Sequence, residues 1–194
     1  MLAHGSFWIY FVWNILMNSS GMLVINSAAN IAVYYGAAAG LGLAVSIFNG
    51  VGRPIAGLLV DKLGRLRCML TLNIVLILSG GVMLAAAQTG GGVAMICLGM
   101  FLVGTCYGGG IAVQTKLADE LYGPKYFAVN VSLVNFCIIP ASFLGPYISG
   151  VLQDRSDGDY RSNFIMLIAM AVLALAVAFL LDWRLRAEAK HAAR

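Results

Sequence analysis

Charged residues are absent from four long stretches of the chain, 1–52, 68–115, 126–153 and 162–181. Apolar residues run through these stretches without the period-two alternation of strands, and a barrel strand would need only about ten residues rather than runs of twenty. A helix needs about 20 apolar residues to cross the roughly 30 Å hydrocarbon core of a bilayer. The two longer stretches therefore hold two spans each and the shorter ones one each, six in all. Both long stretches carry an internal break. In the first it is Asn30 to Ala37, with the interfacial pair Tyr34-Tyr35 followed by Gly36, and in the second it is Gln88-Thr89-Gly90-Gly91-Gly92. The pattern predicts an all-α membrane protein with spans over about 7–30, 37–60, 68–88, 93–115, 127–152 and 162–181. These form one bundle over 1–183, followed by a basic tail over 184–194.

Composition sharpens this reading. Of the 194 residues, 61% are hydrophobic and 10% charged, whereas a soluble domain carries about a quarter charged residues. A solvated globule, a disordered chain and a nucleic-acid binder are thereby excluded. The net charge of +4 is an orientation signal. An even number of spans places both termini on one side, and that side receives Lys62, Arg65, Arg67, Lys116, Lys125, Arg184, Arg186, Lys190 and Arg194. The other side receives Arg155 and Arg161, beside Asp154, Asp157 and Asp159. The basic excess predicts a multi-pass protein of the cell (plasma or inner) membrane with both termini cytoplasmic. Met1 to Phe7 holds His4 but no Lys or Arg of a signal-peptide n-region.

The sharpest local pattern runs from span two into the following turn, Asn49-Gly50-Val51-Gly52-Arg53-Pro54-Ile55-Ala56-Gly57-Leu58-Leu59-Val60-Asp61-Lys62-Leu63-Gly64-Arg65-Leu66-Arg67. Gly57 is expected to let two helices approach closely. Asp61 can accept from backbone N–H groups at a neighbouring helix N-terminus. Gly64 permits a tight turn, and Lys62, Arg65 and Arg67 hold it at the anionic leaflet. The spacing Gly57-x-x-x-Asp61-Lys62-x-Gly64-Arg65-x-Arg67 resembles the signature loop of the major facilitator superfamily, found between the second and third helices of each six-helix half. The resemblance implies that Gly57, Asp61, Gly64 and Arg65 form a conformational latch, with Asp61 and Arg65 joining neighbouring helices. Asn49-Gly50-x-Gly52-Arg53-Pro54 and Cys106-Tyr107-Gly108-Gly109-Gly110 are similar to the oxalate:formate antiporter branch of that superfamily. A complete member has two such halves. The first half of members usually carries an Arg in its fourth helix, whereas span four here has no charge before Lys116. That absence and the short basic tail make the chain resemble the C-terminal half.

Arg53 is the outlier among the charges. It lies eight residues before Asp61, about 12 Å deeper along a helix rising 1.5 Å per residue. An arginine at that depth costs roughly 3 kcal/mol on insertion scales, so it marks a substrate path or snorkels into the Asp61 network as a structural charge. In the antiporter branch the matching Arg holds the substrate carboxylate, together with a Lys in the helix matching span five. Residues 126–153 contain no Lys and offer Ser132, Asn135 and Ser142 at helical spacing. A single Arg with hydroxyl and amide neighbours suits a monoanion better than a dianion.

Other residues carry weaker signals. Tyr107 and Gln114 can line a cavity or make interhelical hydrogen bonds, and Gly104-x-x-x-Gly108 permits close helix packing. Asn14 with Asn18, and Asn26 with Asn30, form polar stripes expected to face the bundle interior. Pro54, Pro140 and Pro146 free the carbonyls of Gly50, Phe136 and Ser142, as hinges or as packing kinks. Cys68, Cys97, Cys106 and Cys137 lack C-x-x-C spacing and read as packing residues. No intramembrane carboxylate pair, metal cluster or nucleophile–base arrangement is visible, so neither an enzyme, a metal nor a cofactor is expected. The expected function is secondary transport of a small, monocarboxylate-like organic anion by alternating access, antiport being the activity of the branch resembled. Arg53, Asn135, Ser132, Tyr107 and Gln114 are its candidate contacts. The expected partners are the lipid bilayer, the anion, and a missing N-terminal six-helix half or a second copy. The other reading is a truncated or accessory six-helix protein with an interaction role.

Overall fold

The computed structural model describes residues 5–90 and 92–192. His4, Gly91 and Arg194 lie outside the described residues, as do the side chains of Lys190 and His191. The elements are α1 (Gly5–Ile25), α2 (Ala28–Tyr34), α3 (Gly40–Leu63), α4 (Arg65–Thr89), α5 (Val93–Tyr122), a 3-10 turn (Pro124–Tyr126), α6 (Phe127–Asn135), α7 (Ile138–Arg155) and α8 (Arg161–Ala192). No strand occurs among the described residues. Six helical segments are long and apolar enough to cross a membrane: Gly5–Ile25, Gly40–Leu63, Arg65–Thr89, Val93–Tyr122, Pro124–Arg155 and Arg161–Glu188.

Local chemistry sets the helix ends. Between α3 and α4 the link is a single residue, Gly64, at φ +78°, where a side chain would be strained. Its N–H donates to the Val60 carbonyl at 2.9 Å, and its own carbonyl accepts from the Cys68 N–H at 3.2 Å, so the signature segment is two helices meeting at a point. The fifth span is broken at Phe136–Cys137. Pro140 has no N–H to offer the Phe136 carbonyl, which instead accepts from Ile139 at 3.2 Å, a shortened turn. Pro140 thus sits in the first turn of α7, while Pro54 and Pro146 lie inside α3 and α7. The first apolar stretch breaks where Tyr34-Tyr35-Gly36 predicts, between α2 and α3, and a further turn at Asn26–Ser27 separates α1 from α2. The region read as a basic tail continues α8 as helix to Ala192, and Arg186 pairs with Asp182 one turn earlier at 2.7 Å.

Packing centres on α5, which lies against α3, α4 and α1, while α8 covers α4 and α1. The α3–α5 contact is made by backbone. A Cβ on Gly104 would sit 2.6 Å from the Val45 carbonyl, one on Gly108 would overlap the Asn49 carbonyl, and one on Gly52 would overlap Thr105. Dispersion between close-packed backbones replaces the hydrophobic drive that lipid does not supply. Phe48 stacks on Phe101 beside this seam, with ring centroids 4.5 Å apart. In the core, Phe7, Tyr10 and Trp13 of α1 are buried with Met100 of α5 and Phe164 of α8. At the end away from Gly64, Tyr34 packs on Tyr160, and Arg161 donates to the Ala87 carbonyl at 2.9 Å, tying α2, α8 and α4.

Burial is uneven among the spans. Only 22% of the apolar window is buried in α3 and in the α6–α7 segment, against 61% in α5. Asn26 and Asn30 are exposed, contrary to the interior stripe expected of them. Asn14 and Asn18 are buried, and each donates to the carbonyl one turn back, of Tyr10 at 2.9 Å and of Asn14 at 2.7 Å. All four cysteines are free and buried. The α3–α5 seam yields a direct test. Gly108→Ala is expected to lower the melting temperature in detergent, equivalent to about 1–3 kcal/mol of overpacking. Gly50→Ala, whose new methyl meets nothing within 4 Å, is expected to leave it unchanged, and equal melting temperatures for the two would contradict the close-packed seam.

Candidate functional site

Arg53, Gly57 and Asp61 recur at intervals of one helical turn and so share one face of α3. Opposite them, Ile111, Ala112, Thr115, Lys116 and Asp119 form one face of α5, and Phe127 of α6 closes a side. Together these residues line a cavity of about 440 Å³. Gly57 is not at a close helix contact, since a Cβ there would meet nothing within 4 Å. Its missing side chain keeps the groove open between Arg53 and Asp61. The backbone approach expected of Gly57 is made one to two turns deeper, at Gly52, Gly104 and Gly108.

The charges in this cavity are not equivalent. Asp61 accepts an ion pair from Lys116 at 2.9 Å, and Arg65 reaches Glu120 at 3.5 Å. Asp61 and Arg65 are four apart across Gly64, and Lys116 and Glu120 are four apart on α5, with the signs reversed. The two pairs therefore register the α3–α4 junction against the last turns of α5. Asp61 was expected at the N-terminus of a neighbouring helix, and its partner is instead this lysine. Among the described residues Arg53 makes neither an ion pair nor a hydrogen bond. In the sequence Lys116 reads as an orientation charge alone, and Asp119 and Glu120 are not singled out. The signal that could have found them is an acid and a base one turn apart, opposite in order to Asp61 and Arg65.

The remaining candidates lie beside this cavity. Gln114 is buried and donates through Nε2 to Asn135 Oδ1 at 2.9 Å, while its backbone carbonyl accepts from the Tyr10 hydroxyl. These bonds tie α5 to α1 and to the break in the fifth span. Asn135 shares a separate, shallow groove of about 360 Å³ with Ser132, Phe136 and Ile139. The Ser132 and Ser142 hydroxyls donate to carbonyls of their own helices, at 2.8 Å to Ala128 and 2.7 Å to Ile138. Tyr107 is partly buried and packs over Gly21 of α1. The structure thus joins Gln114 with Asn135, and Arg53 with Gly57 and Asp61. Ser132, Asn135, Tyr107 and Gln114 are not in the walls around Arg53.

The second ion pair can be tested by itself. Both partners are more than a third exposed, where such a pair is worth about 0–1 kcal/mol. Arg65→Gln and Glu120→Gln are each expected to lower thermal stability slightly, and the double variant no further than the worse single one. Additive losses in this double-mutant cycle would show that the two side chains do not interact.

The Major Facilitator Superfamily profile matches residues 2–194. An oxalate:formate antiporter of Oxalobacter formigenes is 25% identical over 187 residues, which cover 92% of this chain and 43% of the antiporter. Monocarboxylate transporter 10 of Mus musculus is 27% identical over 144 residues, 73% of this chain and 27% of the transporter. The Rattus norvegicus form of that transporter is likewise 27% identical over 144 residues. The chain therefore spans less than half the length of these relatives. Six apolar helices, the one-residue junction at Gly64 and a profile match from residue 2 to residue 194 lead to one assignment: the chain belongs to the Major Facilitator Superfamily.

Proposed function

We propose that this chain is the C-terminal six-helix half of a secondary transporter that moves a small monocarboxylate by alternating access, with Arg53 as the anchor of the anion. The observation that carries this reading is a cation without an ion-pair partner among the described residues, in the wall of a cavity between two apolar helices. A guanidinium is costly at that depth and is stabilised by a planar carboxylate that accepts two parallel N–H bonds. Lys116 is neutralised by Asp61, so Arg53 is the cation available to an anion, and one carboxylate matches it. Formate in the name of one relative and monocarboxylates in that of the other support the same chemical class, whereas oxalate, the first relative's other named substrate, is a dicarboxylate. Tyr107, Gln114, Ser132 and Asn135 belong to the path next to this anchor and are reached as the helices shift.

The thinly buried faces of α3 and of α6–α7 fit a partner of the same kind, an N-terminal six-helix half or a second copy. In parent folds of this type the substrate site lies at the interface of the repeats, near the midplane. The Gly64 end carries Lys62, Arg65, Arg67 and Lys116, and the positive-inside rule assigns it, with both termini, to the cytoplasm of a cell-membrane protein. An accessory or interaction role without transport is the competing reading.

The test is uptake of labelled formate, lactate and oxalate into proteoliposomes holding the chain with its partner half. Arg53→Ala is expected to lower uptake at least tenfold, and unchanged uptake would remove that residue from the site. Formate or lactate is expected to outcompete oxalate, because a second desolvated carboxylate lacks a free cation. Asn135→Lys is expected to shift that preference towards oxalate. Oxalate winning in the wild type would contradict the single free cation, and absence of all uptake in the assembled pair would favour the accessory role.

A further inference from the structure

We propose that Lys116 is a second, exchangeable anion-binding residue of the cavity, and that Asp61 is the resident competitor an incoming carboxylate displaces from it. This rests on the reading of the Arg53 cavity as an anion site and goes beyond it, because it turns an ion pair that fastens two helices into part of the recognition chemistry. The two groups of the pair do not sit behind the site. Asp61 and Lys116 line the same 440 Å³ space as Arg53, with side chains 59% and 46% exposed, so both are reachable by a solute in the groove. Gly57 leaves the floor between Arg53 and Asp61 without a side chain, and a Cβ there meets nothing within 4 Å. An anion can therefore move from one cation to the other without passing a barrier of protein atoms.

The energetics permit exchange. An ion pair this exposed contributes from nothing to about twice thermal energy, and it is screened by salt. A carboxylate from solution offers Lys116 the same donor–acceptor contact that Asp61 offers. When it takes that place, Asp61 is released and one of the two links between the α3–α4 junction and α5 is lost, leaving Arg65–Glu120. Anion occupancy thereby loosens the Gly64 end of the bundle. Selectivity follows from the same competition. While Asp61 holds Lys116, the cavity presents one free cation and favours a monocarboxylate, and with Asp61 neutralised it presents two and accepts a dicarboxylate.

A structural clamp and an exchangeable binding residue give opposite signs in one experiment. Asp61→Asn and Lys116→Gln each break the same pair. If the pair only fastens helices, both variants change anion affinity in the same direction. If Lys116 binds the anion and Asp61 competes, Lys116→Gln weakens binding and Asp61→Asn strengthens it. The measurement is equilibrium binding of labelled oxalate and formate to the chain assembled with its partner half in lipid nanodiscs. Asp61→Asn is expected to tighten oxalate binding about fivefold and formate binding less. Lys116→Gln is expected to weaken oxalate binding by a similar factor. Asp119 provides the control, since it lines the same wall and makes no ion pair among the described residues. Asp119→Asn removes the same charge without freeing Lys116, so it is expected to tighten oxalate binding less than Asp61→Asn does.

Changes of the same sign in Asp61→Asn and Lys116→Gln would overturn the proposal. Equal tightening in Asp61→Asn and Asp119→Asn would also overturn it, by reducing the effect to the general field of the cavity. The underlying reading is judged separately by Arg53→Gln. If that variant binds both anions as the wild type does, or the wild type binds neither, the Arg53 cavity is not the anion site. If Arg53→Gln alone loses binding, the anchor stands and the exchange at Lys116 falls.

Discussion

The contact on which the rest of this structure depends is the backbone-to-backbone seam between α3 and α5. Gly52, Gly104 and Gly108 bring the two helices together so closely that added methyl groups would overlap Thr105, Val45 or Asn49. In lipid no hydrophobic effect pushes helices together, so such contacts, rather than apolar burial, hold them. The seam is tight at depth and opens one to two turns later at Gly57. The cavity is the consequence: two helices pinned in the middle and kept apart towards one end. Arg53 lies in the wall where the gap begins, and Asp61 and Lys116 stand where it ends.

Charge then divides the cavity into two chemically different regions. At the outer end Lys116 and Arg65 have acidic partners, and the two pairs hold the Gly64 junction on α5. At the inner end Arg53 has none among the described residues. Under the proposed function, a carboxylate accepting two parallel N–H bonds is what this guanidinium would hold. The surrounding hydrogen bonds serve the frame. The amide of Gln114, the Tyr10 hydroxyl and the two asparagines of α1 satisfy one another or nearby carbonyls within the packed core.

Much of this was legible in the sequence because lipid imposes a coarse rule. Charge is excluded from the hydrocarbon, so the charge-free stretches mark six apolar spans, and Gly64 with its basic neighbours marks the tightest turn. Breaks inside an apolar stretch leave a weaker trace. The turn at Asn26–Ser27 carries no glycine or proline, and the break at Phe136 lies upstream of the proline that causes it. Gly57 was misread because a glycine in a membrane helix fits both close packing and an open groove, and only the neighbouring helix distinguishes them. The pairing roles of Lys116 and Glu120 were not read because they depend on register against Asp61 and Arg65. A pattern along one helix cannot show that register. The pairing of Gln114 with Asn135 likewise depends on how α5 meets the broken fifth span.

The central claim is that an anion is held by the guanidinium of Arg53, and a distance measures it most directly. Rotational-echo solid-state NMR on the full chain in lipid, with labelled arginine nitrogens and ¹³C-formate, reports which arginine the anion touches. The account predicts dephasing that corresponds to about 4 Å, as for a hydrogen-bonded carboxylate, and that disappears in Arg53→Lys with labelled arginine. Dephasing that persists in that variant, or formate that binds without any arginine contact, would contradict it.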